Sequence, residues 1–390
     1  MSSSSAIAVV PATFTIYLGM DVHKDSITIA VLPEVAKAPT RVERLPNDFG
    51  KLRRFFDRLA KQGQLRCCYE ASGAGYVLQR AISDWGYSCD VIAPSLIPKR
   101  SGVQRKYDRR DASDLARLYR AGELVTVHIP SEAEERVRDL VRCRETFQRE
   151  VLKSRHYILK FLARRGLIYR EGTNWSRGHF AWLRRVARPF SSPLVSEDQL
   201  VFSEYLELLD YKLKRRDELD HQIENLVLTP ALATTVGFLQ CFRGFKRQSS
   251  MVLGTEIVDW RRFAKPSQAS AFVGLVPREA SSGSRQRRGS ITKAGNSHCR
   301  HVLIQAAWSY RHRPRMSAEI KRRQQGQPAR VTRIAWEAQQ RLYKRYQHLA
   351  YRKSPQIAVV AVARELLGFL WAAMQELPHT TPAVAGSGVI

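Results

Sequence analysis

Short apolar runs and segments of helical spacing alternate through the first 130 residues. Residues 14–33 predict two β-strands joined by a tight turn, and Arg41 to Leu45 predicts a third strand. Phe49 to Lys61 carries its apolar residues on one face at helical spacing. Two further pairs of strand and helix follow, ending at Ala121. Strands that alternate with helices predict an α/β sheet domain.

The order of these elements narrows the fold class. Three strands precede the first helix, which favours an α/β ribonuclease-H-like fold over a simple doubly wound sheet. The middle of the chain instead holds two long charged helical stretches, Ser131 to Arg165 and Glu197 to Val227. Their sparse apolar spacing is equally compatible with a coiled-coil-like arm and with an ordinary helical hairpin packed on a domain.

Shorter elements fill the chain from Pro230 onwards. Helices are predicted over Asp259–Val273, Ser297–Tyr310, Val331–Tyr351 and Ile357–Met374, and a polar, glycine-punctuated loop runs from Arg278 to Ser290. The predicted division is a disordered tail (1–13), an α/β domain (14–130), a helical arm (131–229), a mainly α-helical C-terminal domain (230–376) and a second disordered tail (377–390).

The charge balance points to a polyanionic partner. Lys and Arg number 64 against 36 Asp and Glu, a formal net charge of +28. A surplus of this size favours a nucleic-acid partner over a generic basic surface. The six cysteines are scattered without metal-binding spacing, which predicts reduced thiols in a cytoplasmic protein. The N-terminus lacks the features of a signal peptide, and no apolar run of the length of a membrane span is present.

Four acidic residues stand where a sheet domain can bring them together. Asp21 and Glu70 each end a predicted strand, so strands that are neighbours in one sheet would carry both carboxylates to the same edge. Asp108 and Asp111 are three residues apart and share one side of a predicted helix. Phosphoryl transfer assisted by metal ions needs such a group of carboxylates.

Each acid also has an ordinary structural explanation. Asp is favoured at helix N-caps and in first turns, so one of the two helical acids can simply cap the helix. Asp114 continues the same spacing without a predicted role, and Asp25 fits a turn better than a ligand position. The combination of a strand Asp, a strand Glu and two helical Asp is more specific than any one of them.

The loop around Ser282 has two possible uses. A serine hydroxyl there could attack a phosphodiester and form a phosphoserine link, or it could bind a phosphate. From the chemistry of the loop alone, phosphate binding is favoured, because no Ser-His-Asp arrangement is visible in the local sequence. Downstream, basic residues interleaved with aromatic ones from Arg300 to Lys353 suit a nucleic-acid backbone with occasional base stacking.

Several segments resemble one family. Residues 19–24 (GMDVHK), 68–76 (CYEASGAGY), 106–116 (KYDRRDASDLA) and 263–300 match motifs of the DEDD transposases of bacterial insertion sequences, also called RNA-guided bridge recombinases. The resemblance covers nearly the whole chain. It departs at Phe242-Arg243-Gly244-Phe245, where many relatives have a Pro-Gly-Ile-Gly hairpin, so the resemblance does not carry a helix-hairpin-helix DNA contact over to this segment.

The resemblance implies an architecture and a set of site residues. It implies a RuvC-like domain, a coiled-coil arm and a C-terminal transposase domain. Asp21, Glu70, Asp108 and Asp111 would be the ligands of Mg²⁺, with Mn²⁺ as a substitute. Ser282, directly before Gly283, would be the nucleophile, with the adjacent Ser281 as the alternative. The expected nucleic-acid-binding residues are Arg105, Lys106, Arg285, Arg287, Arg288, Lys293 and Arg300.

The resemblance also implies an activity. The protein would be a site-specific DNA recombinase that works as a homo-oligomer, from dimer to tetramer, in the bacterial cytoplasm at the nucleoid. A structured non-coding guide RNA would pair with double-stranded donor and target DNA, and a covalent 5′-phosphoserine intermediate would precede strand exchange. Two alternatives stay open: a RuvC-like metal-dependent junction nuclease without a serine nucleophile, and a non-catalytic RNA-binding scaffold. An actin-like sugar kinase is disfavoured because its second phosphate loop is missing.

Overall fold

The computed structural model describes residues 14–98, 108–188, 193–279 and 288–378. Six of the predicted site residues lie outside these ranges: Arg105, Lys106, Ser281, Ser282, Arg285 and Arg287. Both predicted tails also fall largely outside them. For Asp108 and Arg288 the backbone is described and the side chain is not.

A five-stranded mixed sheet forms the centre of the first compact unit, which ends at Ile129. Its strands are β1 (Thr15–Val22), β2 (Ser26–Pro33), β3 (Arg41–Pro46), β4 (Gln64–Glu70) and β5 (Ser88–Ile92). The order across the sheet is β3-β2-β1-β4-β5, with β2 antiparallel to β1 and β3, and β4 parallel to β1 and β5. This mixed α/β sheet is compatible with the predicted ribonuclease-H-like fold.

Three helices cover the two faces of this sheet: α1 (Phe49–Ala60), α2 (Val77–Asp84) and α3 (Asp108–Arg120). The first two share one core with Leu18 and Met20 of β1. Helix α3 packs on the opposite face through Ala112 and Leu115. Side chains of a strand alternate between faces, so odd-numbered residues of β1 face α3. Helix α2 starts four residues later than predicted, after a turn in which Gly75 has a φ of +63°.

The second compact unit begins at Pro130 with the two long helices. They are α4 (Glu132–Ala163) and α6 (Ser196–Asn225), with α5 (Arg177–Val186) between them in sequence. Ion pairs Arg144–Asp220 and Arg165–Asp198 show that α4 and α6 run antiparallel. The pair and α5 share a small apolar core, which the sequence analysis did not anticipate for α5. A coiled-coil arm and the division of the chain into three domains between two tails stay predictions.

Seven helices and a short hairpin complete the described part of the second unit. They are α7 (Pro230–Gln240), α8 (Arg247–Ile257), α9 (Pro266–Phe272), β6 (Pro277–Glu279), β7 (Arg288–Ile291), α10 (Ser297–Ala307), α11 (Ala318–Gln324), α12 (Ala329–Ala350) and α13 (Pro355–Met374). Strands β6 and β7 pair antiparallel, a hairpin absent from the prediction. The helix predicted from Asp259 begins only at Pro266, where proline suits the first helical position.

Helix α13 is long and apolar enough to cross a membrane by length and composition alone. Half of its most apolar window is buried inside the protein. Val362, Leu366 and Leu370 are fully buried in the core of the second unit. Burial against its own chain accounts for the apolar character of this helix.

Candidate active site

Asp21 and Glu70 lie side by side at one edge of the sheet. Strands β1 and β4 are parallel and Met20 is paired with Tyr69, so the next residue of each strand is the acid. Neighbouring strands are about 4.8 Å apart. The prediction that two strand-end carboxylates reach one edge therefore matches the placement of the two backbones.

Both acids stand on the sheet face that carries α3. Asp21 shares its face with Gly19, and Glu70 shares its face with Cys68, because alternate residues of a strand point the same way. Cys68 packs with Leu115 of α3. A Cβ on Gly19 would lie 2.2 Å from the carbonyl oxygen of Ala112. Strand β1 and α3 are thus in direct backbone contact two residues before Asp21.

The first turn of α3 carries the two helical acids. Asp108 is its first residue, and Asp111 directly precedes Ala112, the residue in contact with Gly19. The Asp111 side chain is partly buried. The contact at Gly19 therefore holds the start of α3 near the carboxyl end of β1, which is where the predicted group of four acids requires it.

His23 is a neighbour of Asp21 that the sequence analysis missed. Its Nε2 lies 3.2 Å from Oδ2 of Asp21, and the two side chains are 49% and 19% exposed. His23 follows the last residue of β1, so the two-residue period of the strand gave no signal for this contact. The contact therefore engages one oxygen of a carboxylate that is predicted to hold a cation.

The acids offer the oxygen donors that divalent cations such as Mg²⁺ prefer. Among the side chains that the structure describes, no three of His, Cys, Asp or Glu are close enough together to hold a metal. The side chain of Asp108 is not among them. The described residues thus give an acidic edge of suitable chemistry, and the full set of four ligands stays a prediction.

Asp114 and Asp25 each make a hydrogen bond that gives them a structural role. Oδ1 of Asp114 accepts a hydrogen bond of 3.1 Å from Nη2 of Arg117, a half-exposed ion pair on α3. Asp25 lies in the turn between β1 and β2, and its carbonyl accepts a hydrogen bond of 3.1 Å from the backbone N–H of Asn47, which follows β3. Neither residue needs a ligand role, which suits Asp114 as a control for the predicted ligands.

The serine segment, residues 280–287, contains Ser281 and Ser282 and lies in sequence between β6 and β7. Of the predicted nucleic-acid contacts that are described, Lys293 is exposed and follows β7. Arg300 is partly buried, and its Nη1 donates to the Val273 carbonyl at 2.8 Å. Arg300 therefore has a structural role beside any contact with a phosphate.

A buried carboxylate ties the segment after β7 to the long helix α4. The Glu256 side chain is 2% exposed and accepts from Nε and Nη2 of Arg142, at 2.6 and 2.9 Å. Asn296, the N-cap of α10, donates to the same carboxylate at 2.7 Å. Burial alone would raise the pKa of Glu256, but these donors bring it below its ordinary value. The sequence gives no local signal for this contact, because its partners are 114 and 40 residues away.

Arg142→Met is expected to destabilise the second unit by about 3–5 kcal/mol at neutral pH, because Glu256 would keep a buried charge without its cation. The lowered pKa means that the ion pair stabilises the fold above the unfolded-state value near 4.5 and is lost as pH falls through the folded value. Urea unfolding at pH 7 and at acidic pH measures this. The difference in the free energy of unfolding between the wild type and Arg142→Met should be smaller at acidic pH.

The matched control is Arg136→Met on the same helix. Arg136 pairs with Glu132 in an exposed i,i+4 contact, with side chains 73% and 65% exposed. Such pairs contribute at most about 1 kcal/mol. Equal losses for the two variants would contradict the role of Arg142, itself 41% exposed, as the cation paired with the buried Glu256.

Gly19→Ala is expected to destabilise the first unit by about 3 kcal/mol, at the upper end of typical overpacking costs. Its Cβ would meet backbone atoms of α3, at 2.2 Å from Ala112 O and 2.4 Å from Ala116 N, and neither can move alone. Gly73→Ala is the control, because a Cβ there meets no atom within 4 Å. Thermal unfolding checks this: a Gly19→Ala protein as stable as Gly73→Ala would refute the close contact.

Family models and individual relatives match this chain over most of its length. A model described as the transposase IS116/IS110/IS902 family matches residues 237–321, and a DEDD transposase model of the IS110 group matches residues 18–165. The second match contains Asp21, Glu70, Asp108 and Asp111, and the first contains the serine segment.

Three relatives illustrate the match. A putative transposase of Sinorhizobium fredii is 37% identical over 94% of this chain and 90% of its own length. The transposase for insertion sequence element IS1533 of Leptospira borgpetersenii is 30% identical over 86% of this chain and 96% of its own. The transposase for element IS1111A of Coxiella burnetii is 25% identical over 74% and 76%. The chain therefore belongs to the IS116/IS110/IS902 family of insertion-sequence transposases, enzymes that cut and rejoin DNA.

Proposed function

We propose that this transposase is an RNA-guided, site-specific DNA recombinase that moves an insertion sequence. It would cut and rejoin donor and target DNA through a phosphoserine intermediate, assisted by a carboxylate-bound metal. The observation that carries the proposal is the register of β1 and β4, which sets Asp21 beside Glu70 at the sheet edge near the start of α3. Carboxylates at such an edge can hold a metal cation, which would neutralise negative charge on the phosphodiester during the transfer.

Each residue has a defined task in the proposed reaction. Oγ of Ser282 attacks the phosphorus, the bond to the 3′ oxygen breaks, and the 5′ phosphate stays on the serine. The serine proton leaves to a base, and the departing 3′ oxygen takes a proton to become a hydroxyl. Asp21, Glu70, Asp108 and Asp111 would hold the cation, which when bound supplies positive charge to the phosphate oxygens. Attack by a 3′ hydroxyl on the phosphoserine reverses the bond changes and rejoins a strand.

The cofactor and partners are parts of the same proposal. DEDD transposases typically depend on a metal, and we propose Mg²⁺, with Mn²⁺ able to replace it. The net charge of +28 supports binding to a polyanion, which we propose to be both DNA and a structured guide RNA. A homo-oligomer of two to four copies in the cytoplasm, associated with the nucleoid, would bring two DNA partners together.

A junction nuclease is the second candidate. It is favoured by one observation: the acidic edge lies in the first unit, which contains no part of the serine segment. Hydrolysis at such an edge needs water and metal and no serine. In that case the basic serine segment would only bind phosphate.

The test is isolation of the protein from cells that carry its own insertion sequence, followed by sequencing of the RNA bound to it. The purified complex is then incubated with donor and target DNA, with Mg²⁺ or with a chelator. A defined RNA and joined DNA products that require both RNA and Mg²⁺ are the expected result. Joining without RNA would refute guidance, and cleavage without joining would favour the nuclease.

A further inference from the structure

The second unit contains a cavity of about 780 Å³ between α4, α8, α10 and α11. None of the residues that line it belongs to β6, to β7 or to the acidic edge. Its volume is within the range of about 300–1,000 Å³ that is typical of sites for small organic molecules. The cavity is thus a separate feature, to which neither the family match nor the proposed chemistry assigns a role.

The cavity has an apolar wall and a solvent-exposed rim. Val252, Val302 and Ile320 are each at least 92% buried and form part of the wall. Lys246 and Gln305 also line the cavity and are exposed, so it opens to solvent. A flat apolar group could pack on the wall while its polar part stays at the rim.

Positive charge predominates around this cavity. Five Arg or Lys line it against two Glu. Only one of the five, Arg144, has a close two-point contact with a carboxylate, that of Asp220. Of the two acids, Glu145 is engaged by His298 at 2.5 Å, and Glu319 lies 3.8 Å from Lys246. The remaining positive charge makes the lining complementary to an anion.

Two of these arginines are held in place by hydrogen bonds to backbone carbonyls. Arg243 donates through Nη1 to the carbonyls of His312 and Arg313, and Arg323 donates through Nη1 to the carbonyl of Phe245. Nε of Arg323 is buried and has no hydrogen-bond partner among the described residues. Burial lowers the pKa of both guanidinium groups, which still remain charged at neutral pH. A phosphate would relieve this desolvation.

The turn between α7 and α8 fixes part of the lining. Gly244 has a φ of +88°, and a Cβ there would lie 2.6 Å from the carbonyl oxygen of Ala306. The turn is therefore pressed against the end of α10, and Arg243 and Phe245 on either side of the glycine both line the cavity.

We infer that the cavity binds one unpaired nucleotide of a nucleic-acid strand, with the base on the apolar wall and a flanking phosphate at the arginine-lined side. A nucleotide combines a flat apolar face with an anionic group, as the lining requires. DNA and RNA share this chemistry, and the experiment separates them. The inference concerns binding alone and does not depend on Ser282 or on a metal.

The test is fluorescence anisotropy with the full-length protein, freed of bound nucleic acid by high salt. The probes are a paired duplex, the same duplex with one bulged nucleotide, and the same bulge without its base, each as DNA and as RNA. Gln305→Trp places a bulky side chain at the rim of the cavity. Gln340→Trp on α12 is the control, because Gln340 is exposed and does not line the cavity.

Gln305→Trp is expected to weaken binding of the bulged probe about 10-fold, the order of one lost base contact, with less than about 2-fold change for the paired duplex. The baseless bulge should already bind the wild-type protein more weakly. Whichever of the DNA and RNA probes shows this difference identifies the strand. Cleavage is not measured, so a failure here is separable from a failure of the proposed recombination.

Three results would overturn the inference. One is equal loss for paired and bulged probes, which would describe a general nucleic-acid surface. Another is equal wild-type affinity for the intact and the baseless bulge. The third is a change of oligomeric mass in Gln305→Trp without nucleic acid, measured by sedimentation equilibrium, which would assign the cavity to a second copy of the chain.

Discussion

Ser282→Ala is expected to remove the covalent protein–DNA adduct, with a loss of more than about 10³-fold, as for other enzymes that lose a nucleophile. Alanine has no oxygen to bond to phosphorus, and every other residue of the chain is kept. The DNA is labelled on the fragment whose 5′ phosphate would become attached to the serine. After the reaction, the protein is denatured in detergent and tested for the label. Only a covalent link survives that treatment.

Ser281→Ala is the matched control, because it removes the same hydroxyl one residue earlier in the same loop. It should retain the adduct at near the wild-type level. The reverse pattern would assign the nucleophile to Ser281. An adduct in neither the variants nor the wild-type protein, together with metal-dependent cleavage, would instead support the junction nuclease.

DNA binding by Ser282→Ala should be nearly unchanged. One neutral hydroxyl contributes little next to the many basic residues of the chain, whose contacts with phosphates dominate affinity. The variant thus separates the two possible uses of the loop. A large loss of affinity with the adduct retained would mean that Ser282 binds a phosphate and does not attack one.

The alternation of short strands and helices was sufficient to predict the N-terminal sheet. Strand β1 has Leu18 and Met20 on the buried face shared with α1, and Gly19 opposite them on the face covered by α3. This local pattern depends only on the two-residue period of a strand, so it is visible in the sequence. The same reasoning placed Asp21 and Glu70 at strand ends, and the parallel register supplied their adjacency.

Features that depend on distant partners could not be predicted in this way. Glu256 occurs in a helix of mixed polarity, and only the fold brings Arg142 and Asn296 to it. The hairpin of β6 and β7 has strands of three and four residues, too short for any period to show. The cavity beside Arg323 arises between four helices, and no segment alone encodes it.

Asp21→Asn is expected to lower the rate of strand cleavage at least about 100-fold, because even outer-shell partners of metal ligands typically cost 10–100-fold. The amide keeps the size of the side chain and removes its negative charge, so the protein should stay folded. Glu70→Gln at the neighbouring strand end should give a similar loss. The measurement is the rate of adduct formation as a function of Mg²⁺ concentration.

The double variant Asp21→Asn/Glu70→Gln should be little worse than either single one, because residues that act through one cation lose their shared function together. Asp114→Asn is the control, since that carboxylate is engaged by Arg117 on α3 and its loss should leave the rate within about 2-fold of the wild type.

Independent losses that multiply in the double variant would place the two acids in separate roles. Full activity of Asp21→Asn would remove the sheet edge from the reaction and leave the serine segment to act with other groups. The parallel register of β1 and β4 sets the two acids side by side, so we expect both to act on the same cation and to give the shared outcome.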